Sequence, residues 1–320
     1  MISLIPYIGG KHRIAKQIAL HLHATGADTL VDVFGGSAAV LLNSGFKKRV
    51  YNDISGDLVC LFRTLADPTL RVQLFRRLRW MPPSRQIYDE FSRDYLKNCF
   101  SFSYLPKVER AAATFYRHHY CFGGKSRCGG FQVSLGDRQG IKEITRYRNT
   151  LRRLSSVGDF FSNTLIEHLN FQQCVSMYGK KVNCVLFIDP PYVGTEGYYS
   201  YSGFCRADHI FLAHQLADCP ASVVCTYYDN PLIRDLYPEN LWRWERIVAT
   251  KNSQFRNGNK AKMLECILIK GGIGCNRLVP EHKQRDDPPQ PNPPSSGPIL
   301  PGLRSSWHCP AAPRHLSRLG

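Results

Sequence analysis

The stretch "TLVDVFGGSAAVLLNSGFKKRVYND", residues 29–53, decides the fold. It begins with a short apolar strand, and Gly35 and Gly36 follow that strand at a turn. The turn is expected to open a helix with Ser37 near its N-cap, and a second strand then ends in Asp53. A strand, a glycine-rich turn, a helix and a second strand form a βαβ unit. The sequence therefore predicts a parallel sheet in an α/β protein.

The flanking segments extend this pattern. Apolar residues at four-residue spacing predict a helix over 11–24, and residues 55–80 are expected to be helical with a break at Pro68. Later, "LWRWERIVAT" and "MLECILIK" alternate in polarity, which predicts an antiparallel end to the sheet. Residues 81–150 differ, because a proline-started helix is followed there by basic, glycine-punctuated loops.

The glycine turn and the acid of the second strand together indicate a nucleoside-containing cofactor. Glycine lets the backbone approach a ligand, and Asp53 stands 17 residues beyond Gly36, close to the spacing at which a carboxylate meets ribose hydroxyls. Ser37 and Ala38 stand where a dinucleotide fingerprint would place further glycines. This pattern disfavours NAD and leaves other nucleoside cofactors, S-adenosylmethionine among them.

A second strand end carries an unusual group of residues. The apolar run "VLFI" leads directly into Asp189, Pro190, Pro191 and Tyr192. The prolines stiffen the loop, and a carboxylate beside a free carbonyl makes an acceptor-only pair suited to an amino group. Tyr192 adds a flat face on which a base could stack. The stretch predicts a pocket for a heterocycle with an exocyclic amine, with an ordinary strand-ending turn as the alternative.

Charge indicates a polyanionic partner. The 320 residues carry a formal charge of +17, and residues 107–153 alone hold eleven Lys or Arg against three acids, a net of +8. Such a balance favours nucleic acid over an uncharged ligand, although a merely basic surface is the alternative. Within the segment, Lys125, Arg127 and Arg138 are the candidate DNA contacts.

The remaining composition argues against several other classes of protein. None of the 12 cysteines forms a CxxC pair, so we expect reduced cysteines and no metal site. No stretch reaches the ~20 apolar residues that cross a bilayer. The N-terminus lacks the features of a secretory signal, so a cytoplasmic location is expected.

Five motifs, taken in order, resemble those of the Dam-type (D12 class) DNA adenine-N6 methyltransferases. They are "PYIGGK" at 6–11, "DVFGGSAAVLL" at 32–42, "ND" at 52–53, "GDF" at 158–160 and "DPPY" at 189–192. The similarity covers roughly residues 5–270 and includes "FYRHHYCFGGKSRCGGF" and "KAKMLECILIK". One departure is Asp32-Val33-Phe34 where many relatives have Glu-Pro-Phe, and the acid is retained.

The resemblance implies S-adenosylmethionine as cofactor and double-stranded DNA as partner, in a bacterial cell or a phage-infected host. It implies a Rossmann-like S-adenosylmethionine-dependent methyltransferase sheet with an inserted, mainly helical and loop DNA-recognition region. Asp189, Pro190, Pro191 and Tyr192 match the catalytic tetrapeptide. The positions it assigns to the cofactor are Tyr7, Lys11, Phe34, Gly35, Asp53, Asp159, Phe160 and Asp189.

The expected division of the chain follows from these motifs. Residues 1–80 and 151–272 would form the catalytic domain, and 81–150 would form the DNA-recognition insert. Residues 273–320 are proline-rich without periodicity, and we expect them to be disordered.

The expected reaction is direct methyl transfer to adenine N6 of a flipped base, with Asp189 and the Pro190 carbonyl holding the amine. Cytosine-N4 methylation is an alternative, because that amine could use the same acceptors. A catalytically idle DNA-binding protein that retains the fold is another. The sequence leaves open the recognition site, the oligomeric state and any pairing with a restriction nuclease.

Overall fold

The computed structural model of the protein describes residues 2–121, 129–133, 141–199, 203–256 and 259–271. The candidate DNA contacts Lys125, Arg127 and Arg138 lie outside these residues, and so does the segment 273–320 that the sequence predicts to be disordered. None of the described helices is both long enough and apolar enough to span a membrane.

A seven-stranded sheet forms the centre of the molecule, in the order β3-β2-β1-β4-β5-β7-β6. The first five strands are parallel, and β7 runs antiparallel to both β5 and β6. The predicted α/β class and the antiparallel end are confirmed. The strands are β1 (Thr29–Asp32), β2 (Lys48–Asn52), β3 (Leu165–Glu167), β4 (Cys184–Ile188), β5 (Ser222–Tyr228), β6 (Arg243–Arg256) and β7 (Asn259–Lys270).

Helices lie between the strands in chain order. They are α1 (Ala15–Ala24), α2 (Ala39–Asn43), α3 (Gly56–Ala66), α4 (Pro68–Arg79), α5 (Arg85–Lys97), α6 (Lys107–Tyr120), α7 (Lys142–Leu151), α8 (Leu154–Ser162), α9 (Phe171–Tyr178), α10 (Arg206–Asp218) and α11 (Pro231–Leu236). The break predicted at Pro68 is confirmed, because Asp67 accepts hydrogen bonds from the amides of Thr69 and Leu70 and so caps α4.

Helices cover both faces of the central strand β4. All five of its residues are buried. Successive side chains of a strand point to opposite faces, and Val185 and Phe187 join one apolar cluster while Leu186 and Ile188 join the other. A parallel strand buried on both faces needs an apolar run, which explains "VLFI".

The helix predicted after the glycine turn is present, and Ser37 stands one residue before its N-cap. The helix α2 begins at Ala39, and its N-cap residue is Ala38, whose φ of 56° is left-handed. Gly36 is also left-handed at φ 49°, and the Ala38 amide donates to the Gly35 carbonyl at 2.7 Å. Ser37 lies in this extra turn, and its side chain does not cap α2.

The helical part of the segment 81–150 packs into the main core. Residues 111–120 of α6 are all buried, and Phe115 and Tyr116 belong to the same apolar cluster as Leu30 of β1. The segment is therefore joined to the sheet by shared packing. Its assignment as a DNA-recognition insert stays a prediction.

Candidate active site

A cavity of about 230 Å³ opens at the carboxyl ends of β1 to β4. In an open α/β sheet this edge is where ligands bind, since the loops that leave the strands meet there. Acids, glycines and aromatic rings are prominent among the residues that line it. The members used below are Tyr7, Lys11, Asp32, Phe34, Gly35, Gly36, Asp53, Asn170, Phe171, Asp189, Pro191 and Tyr199.

The turn after β1 is tied to the end of β2 by Asp53. Its Oδ2 accepts a hydrogen bond from the Gly36 amide and its Oδ1 accepts one from the Ser55 amide, both at 2.7 Å. Burial raises the pKa of Asp53 to about 6, although the two amides act in the opposite direction. A Cβ at Gly35 would lie 2.2 Å from the Tyr51 ring, so this close approach requires glycine.

Asp32 ends β1 in an unusual electrostatic state. It is 2% exposed, and no group among the described residues gives its Oδ1 a hydrogen bond. Burial raises the pKa of Asp32 well above its ordinary value, and the charges of Asp189 and Asp53 raise it further. A buried carboxylate of this kind costs free energy unless a donor or cation meets it, so the wall of the cavity provides an open acceptor.

Asp189 follows β4 and is held by two side chains. Its Oδ1 lies 2.8 Å from Lys11 Nζ and accepts a hydrogen bond from Thr226 Oγ1 at 2.8 Å. Burial raises the pKa of Asp189, although the charge of Lys11 opposes this effect. Burial alone would lower the pKa of Lys11, but Asp189 and Glu265 outweigh it and the pKa rises. Burial and the ion pair therefore act in opposite directions on both members of this pair.

The rest of the tetrapeptide lies at different depths. Pro191 lines the cavity together with Asp189, whereas Tyr192 stands behind them and is 7% exposed. The Tyr192 hydroxyl donates to Glu265 Oε1 at 2.9 Å, and Lys11 Nζ lies 4.7 Å from the ring centroid. Pro190 is buried beneath the loop.

The N-terminal motif closes a second wall. Tyr7 lines the cavity, and its carbonyl accepts a hydrogen bond from the Gly10 amide at 3.2 Å. Lys11 Nζ donates to the Gly9 carbonyl at 2.8 Å, which directs the side chain towards Asp189. On the opposite side, Phe34 stacks on Phe171 at 5.8 Å between ring centroids.

Two of the residues that the resemblance assigned to the cofactor, Asp159 and Phe160, are not among the residues that line this cavity. Asp159 and Phe160 lie on α8, before β3 begins. The Asp159 side chain is 67% exposed and pairs with Arg71 at 2.9 Å, while Phe160 packs beneath the Arg49 guanidinium. Most of the residues that line the cavity follow a strand, whereas the "GDF" motif precedes its strand.

The residues that do follow β3 were missed by the sequence analysis. Asn170 and Phe171 line the cavity, and Asn170 Oδ1 caps α9 by accepting from the Gln173 amide at 2.8 Å. In "TLIEHLNFQQ" a strand is followed by an Asn at a helix N-cap position, and this order could have identified both residues. Thr226 and Glu265 were also missed, because each is distant from Asp189 along the chain.

Within the part of the chain that the structure covers, no group of three His, Cys, Asp or Glu side chains is arranged to hold a metal ion. The acidic and basic residues at the cavity are instead four aspartates, Asp32, Asp53, Asp189 and Asp208, and one lysine, Lys11. The sheet order, the glycine turn and the Asp-Pro-Pro-Tyr loop together place a cavity with acidic side chains at the carboxyl ends of the parallel strands.

Comparison with known proteins shows the family. Residues 7–251 match the model of the D12 class N6 adenine-specific DNA methyltransferases, and the chain belongs to that family. Its seven-stranded sheet with helices is consistent with an S-adenosylmethionine-dependent methyltransferase fold.

Individual relatives agree with this assignment. The chain is 26% identical to the DNA N-6-adenine-methyltransferase of Escherichia phage P1, over 78% of this chain and 33% of that protein. It is 25% identical to the Retron Ec67 DNA adenine methylase of Escherichia coli, over 85% and 92%. It is 26% identical to the DNA adenine methylase of Serratia marcescens, over 73% and 86%. The chain thus spans a third of the phage protein but most of the other two.

Proposed function

We propose that the protein transfers a methyl group from S-adenosylmethionine to N6 of an adenine that is everted from double-stranded DNA. The observation that carries the proposal is the position of Asp189, which lies in one cavity with Asp32 and Asp53. Membership of an adenine-specific family supports adenine over cytosine as the acceptor, and the idle alternative is not favoured. Because the substrate is cellular DNA, we place the activity in the cytoplasm of a bacterial or phage-infected cell.

The charge of the cavity fits the proposed cofactor. S-adenosylmethionine, when bound, supplies a methyl group activated by a positive sulfonium, and it also carries an ammonium group. Four aspartates line the cavity against one lysine, so the wall favours a cationic ligand. Asp32 Oδ1 is the open acceptor for the ammonium, and Asp53 would accept from the ribose hydroxyls.

Two rings would hold the adenine moiety of the cofactor. Phe34 and Phe171 stack on each other, and both line the cavity. We propose Phe171 and Asn170 in the place that the sequence analysis gave to Phe160 and Asp159. Tyr7 and Lys11 would form the opposite wall.

Asp189 would orient the substrate amine. The carboxylate and the Pro190 carbonyl accept hydrogen bonds from the N6 hydrogens, so the nitrogen lone pair faces the donor methyl. Positioning of this kind can supply ~7–11 kcal/mol towards the barrier, which makes a covalent intermediate unnecessary. Stacking of the base on Tyr192 would add ~1–3 kcal/mol. Lys11 must shift when the base enters, since its ammonium lies over that ring.

DNA contact remains a proposal at Lys125, Arg127 and Arg138. They belong to the basic run of residues 107–153, whose net charge of +8 suits phosphate contacts. Phosphate contacts would set the register of the duplex, and base contacts would select the site.

Transfer of tritiated methyl groups to duplex DNA, followed by nucleoside mass analysis, tests the proposal. We expect N6-methyladenine from the wild type and at least ~100-fold less label from Asp189→Ala, because the amine loses its acceptor. Exclusive formation of N4-methylcytosine would replace adenine with cytosine as the substrate. Label no higher than in the Asp189→Ala control would reject the enzyme.

A further inference from the structure

The structure assigns a positioning role to Glu265 on β7. We propose that its carboxylate fixes the Tyr192 ring and draws the Lys11 ammonium away from Asp189 when the substrate base enters. The inference rests on the proposed methyl transfer and extends it to a strand far along the chain from the tetrapeptide.

Strand pairing places Glu265 beside the site. The register of β5 and β7 sets Glu265 opposite Tyr228, three residues beyond Cys225, which pairs with Ile188 at the end of β4. Glu265 is only 8% exposed. A carboxylate is rarely buried this far without partners, and its partners here are Tyr192 and Lys11.

The first contact fixes the orientation of the Tyr192 ring. The hydroxyl donates to Glu265 Oε1 at 2.9 Å, and the ring meets Tyr228 edge-on at 4.6 Å between centroids. The ring is thus restrained at its tip and along its side. A base that stacks on Tyr192 lies parallel to this ring. If the ring is tilted, the base tilts with it, and the amino group that receives the methyl is displaced.

The second contact divides the Lys11 charge between two carboxylates. Lys11 Nζ lies 2.8 Å from Asp189 Oδ1 and 3.5 Å from Glu265 Oε1. An entering amino group competes with the ammonium for Asp189 and also needs the ring face that Lys11 covers. Glu265 is a nearby carboxylate towards which Lys11 can move. Lys11 would then exchange its ion pair with Asp189 for one with Glu265, so its charge stays paired.

Three variants separate the two contacts. Glu265→Gln keeps an oxygen acceptor for the Tyr192 hydroxyl but removes the charge, whereas Glu265→Ala removes both. Tyr192→Phe removes the hydroxyl and keeps the ring. Glu245→Gln is the matched control, because Glu245 lies on the neighbouring strand β6 and contacts Gln17 and His21 outside the cavity.

The experiment measures single-turnover methyl transfer, S-adenosylmethionine affinity by calorimetry, and the fluorescence of duplexes with 2-aminopurine at the target adenine. We expect Glu265→Ala to slow transfer ~10–100-fold with cofactor Kd within about twofold of the wild type. Its 2-aminopurine signal should be brighter, since the everted base stacks less well.

Tyr192→Phe should add nothing to Glu265→Ala, as residues acting through one contact are non-additive. Glu265→Gln should lower affinity for the target duplex, because Lys11 stays on Asp189.

Several results of these measurements would overturn the inference. A transfer rate of Glu265→Ala within twofold of Glu245→Gln overturns the inference, and so does an additive double variant. Equal losses of rate and cofactor affinity would show a general structural defect and also overturn it. If Glu265→Ala does not fold, Glu265→Gln and Tyr192→Phe decide by the same readouts. A wild type that transfers no methyl group overturns the proposed function and this inference together.

Discussion

Asp53 illustrates how burial sets the chemistry of a single residue. Two backbone amides would ordinarily lower the pKa of a carboxyl group, yet burial at the cavity wall outweighs them and raises it to about 6. The group is ionised at pH 7, although its pKa lies not far below that pH. Because a carboxylate accepts hydrogen bonds from ribose hydroxyls better than a protonated carboxyl does, the ionisation of Asp53 should govern cofactor binding.

We therefore expect S-adenosylmethionine affinity to fall as the pH is lowered through about 6. Below that pH the free protein carries a proton on Asp53, and binding must release it, which costs up to about tenfold in Kd per pH unit. Calorimetric titration between pH 5 and 8 measures the effect. Asp53→Ala should bind weakly and lack the break near pH 6, and a wild-type Kd that is constant over this range would contradict the assignment.

Replacing Asp32 by Asn should weaken cofactor binding and stabilise the free protein. Asp32→Asn removes a buried charge whose Oδ1 has no donor among the described residues. We expect S-adenosylmethionine to bind ~10–100-fold more weakly, because a charged hydrogen bond contributes ~1.5–3 kcal/mol. The free energy of unfolding of the free protein should rise by about 1 kcal/mol at pH 8.

The pH dependence of that stability has a defined sign. The pKa of Asp32 is raised in the folded state, so the wild type loses stability as the pH rises and the group is forced to ionise. The gain in Asp32→Asn should therefore be larger at pH 8 than at pH 5. Thermal unfolding at the two pH values measures it, and a less stable variant with unchanged affinity would refute this role.

At the scale of elements, the position of a residue relative to a strand end decides whether it reaches the site. Asp159 precedes β3 on α8, and Phe171 follows β3 at the start of α9. We expect Asp159→Ala to leave S-adenosylmethionine Kd within about twofold of the wild type. Phe171→Ala should weaken binding about tenfold, since an aromatic contact contributes ~0.5–1.5 kcal/mol. Calorimetry on both variants tests this, and the reverse order would restore the original assignment of the "GDF" motif.

Most elements could be predicted from local sequence because their signals are local. The Asp67-Pro68 cap, the apolar β4 and the alternating β6 and β7 each carry their own pattern. The left-handed backbone before α2 could not be predicted, because an alanine at φ 56° is not marked in the sequence.

The site was predictable only where its residues follow strands of clear pattern. Asp53 and Asp189 come directly after apolar strands, so their common edge follows from parallel pairing. Glu265 and Thr226 could not be found in this way, since their contact with the tetrapeptide depends on the register of β5 and β7. Long-range register is set by packing of the complete sheet, which no short window contains.

At the scale of the whole molecule, the charge of +17 predicts strongly salt-dependent DNA binding. If six phosphates are neutralised, affinity for a duplex without the target site should fall ~10³-fold between 50 and 200 mM salt. Fluorescence anisotropy measures the slope of log Kd against log salt. The double variant with Lys125→Ala and Arg127→Ala should reduce that slope by about two, and an unchanged slope would exclude both as phosphate contacts.

The place of β7 in the sheet has a consequence for synthesis on the ribosome. Among the described residues β7 is the last strand to be translated; it lies between β5 and β6 in the sheet and brings Glu265 to the tetrapeptide. A nascent chain that has emerged only as far as β6 therefore exposes the edge of β5 and lacks one wall of its amine seat. The contact between Glu265 and Tyr192 can therefore form only once β7 has joined the sheet.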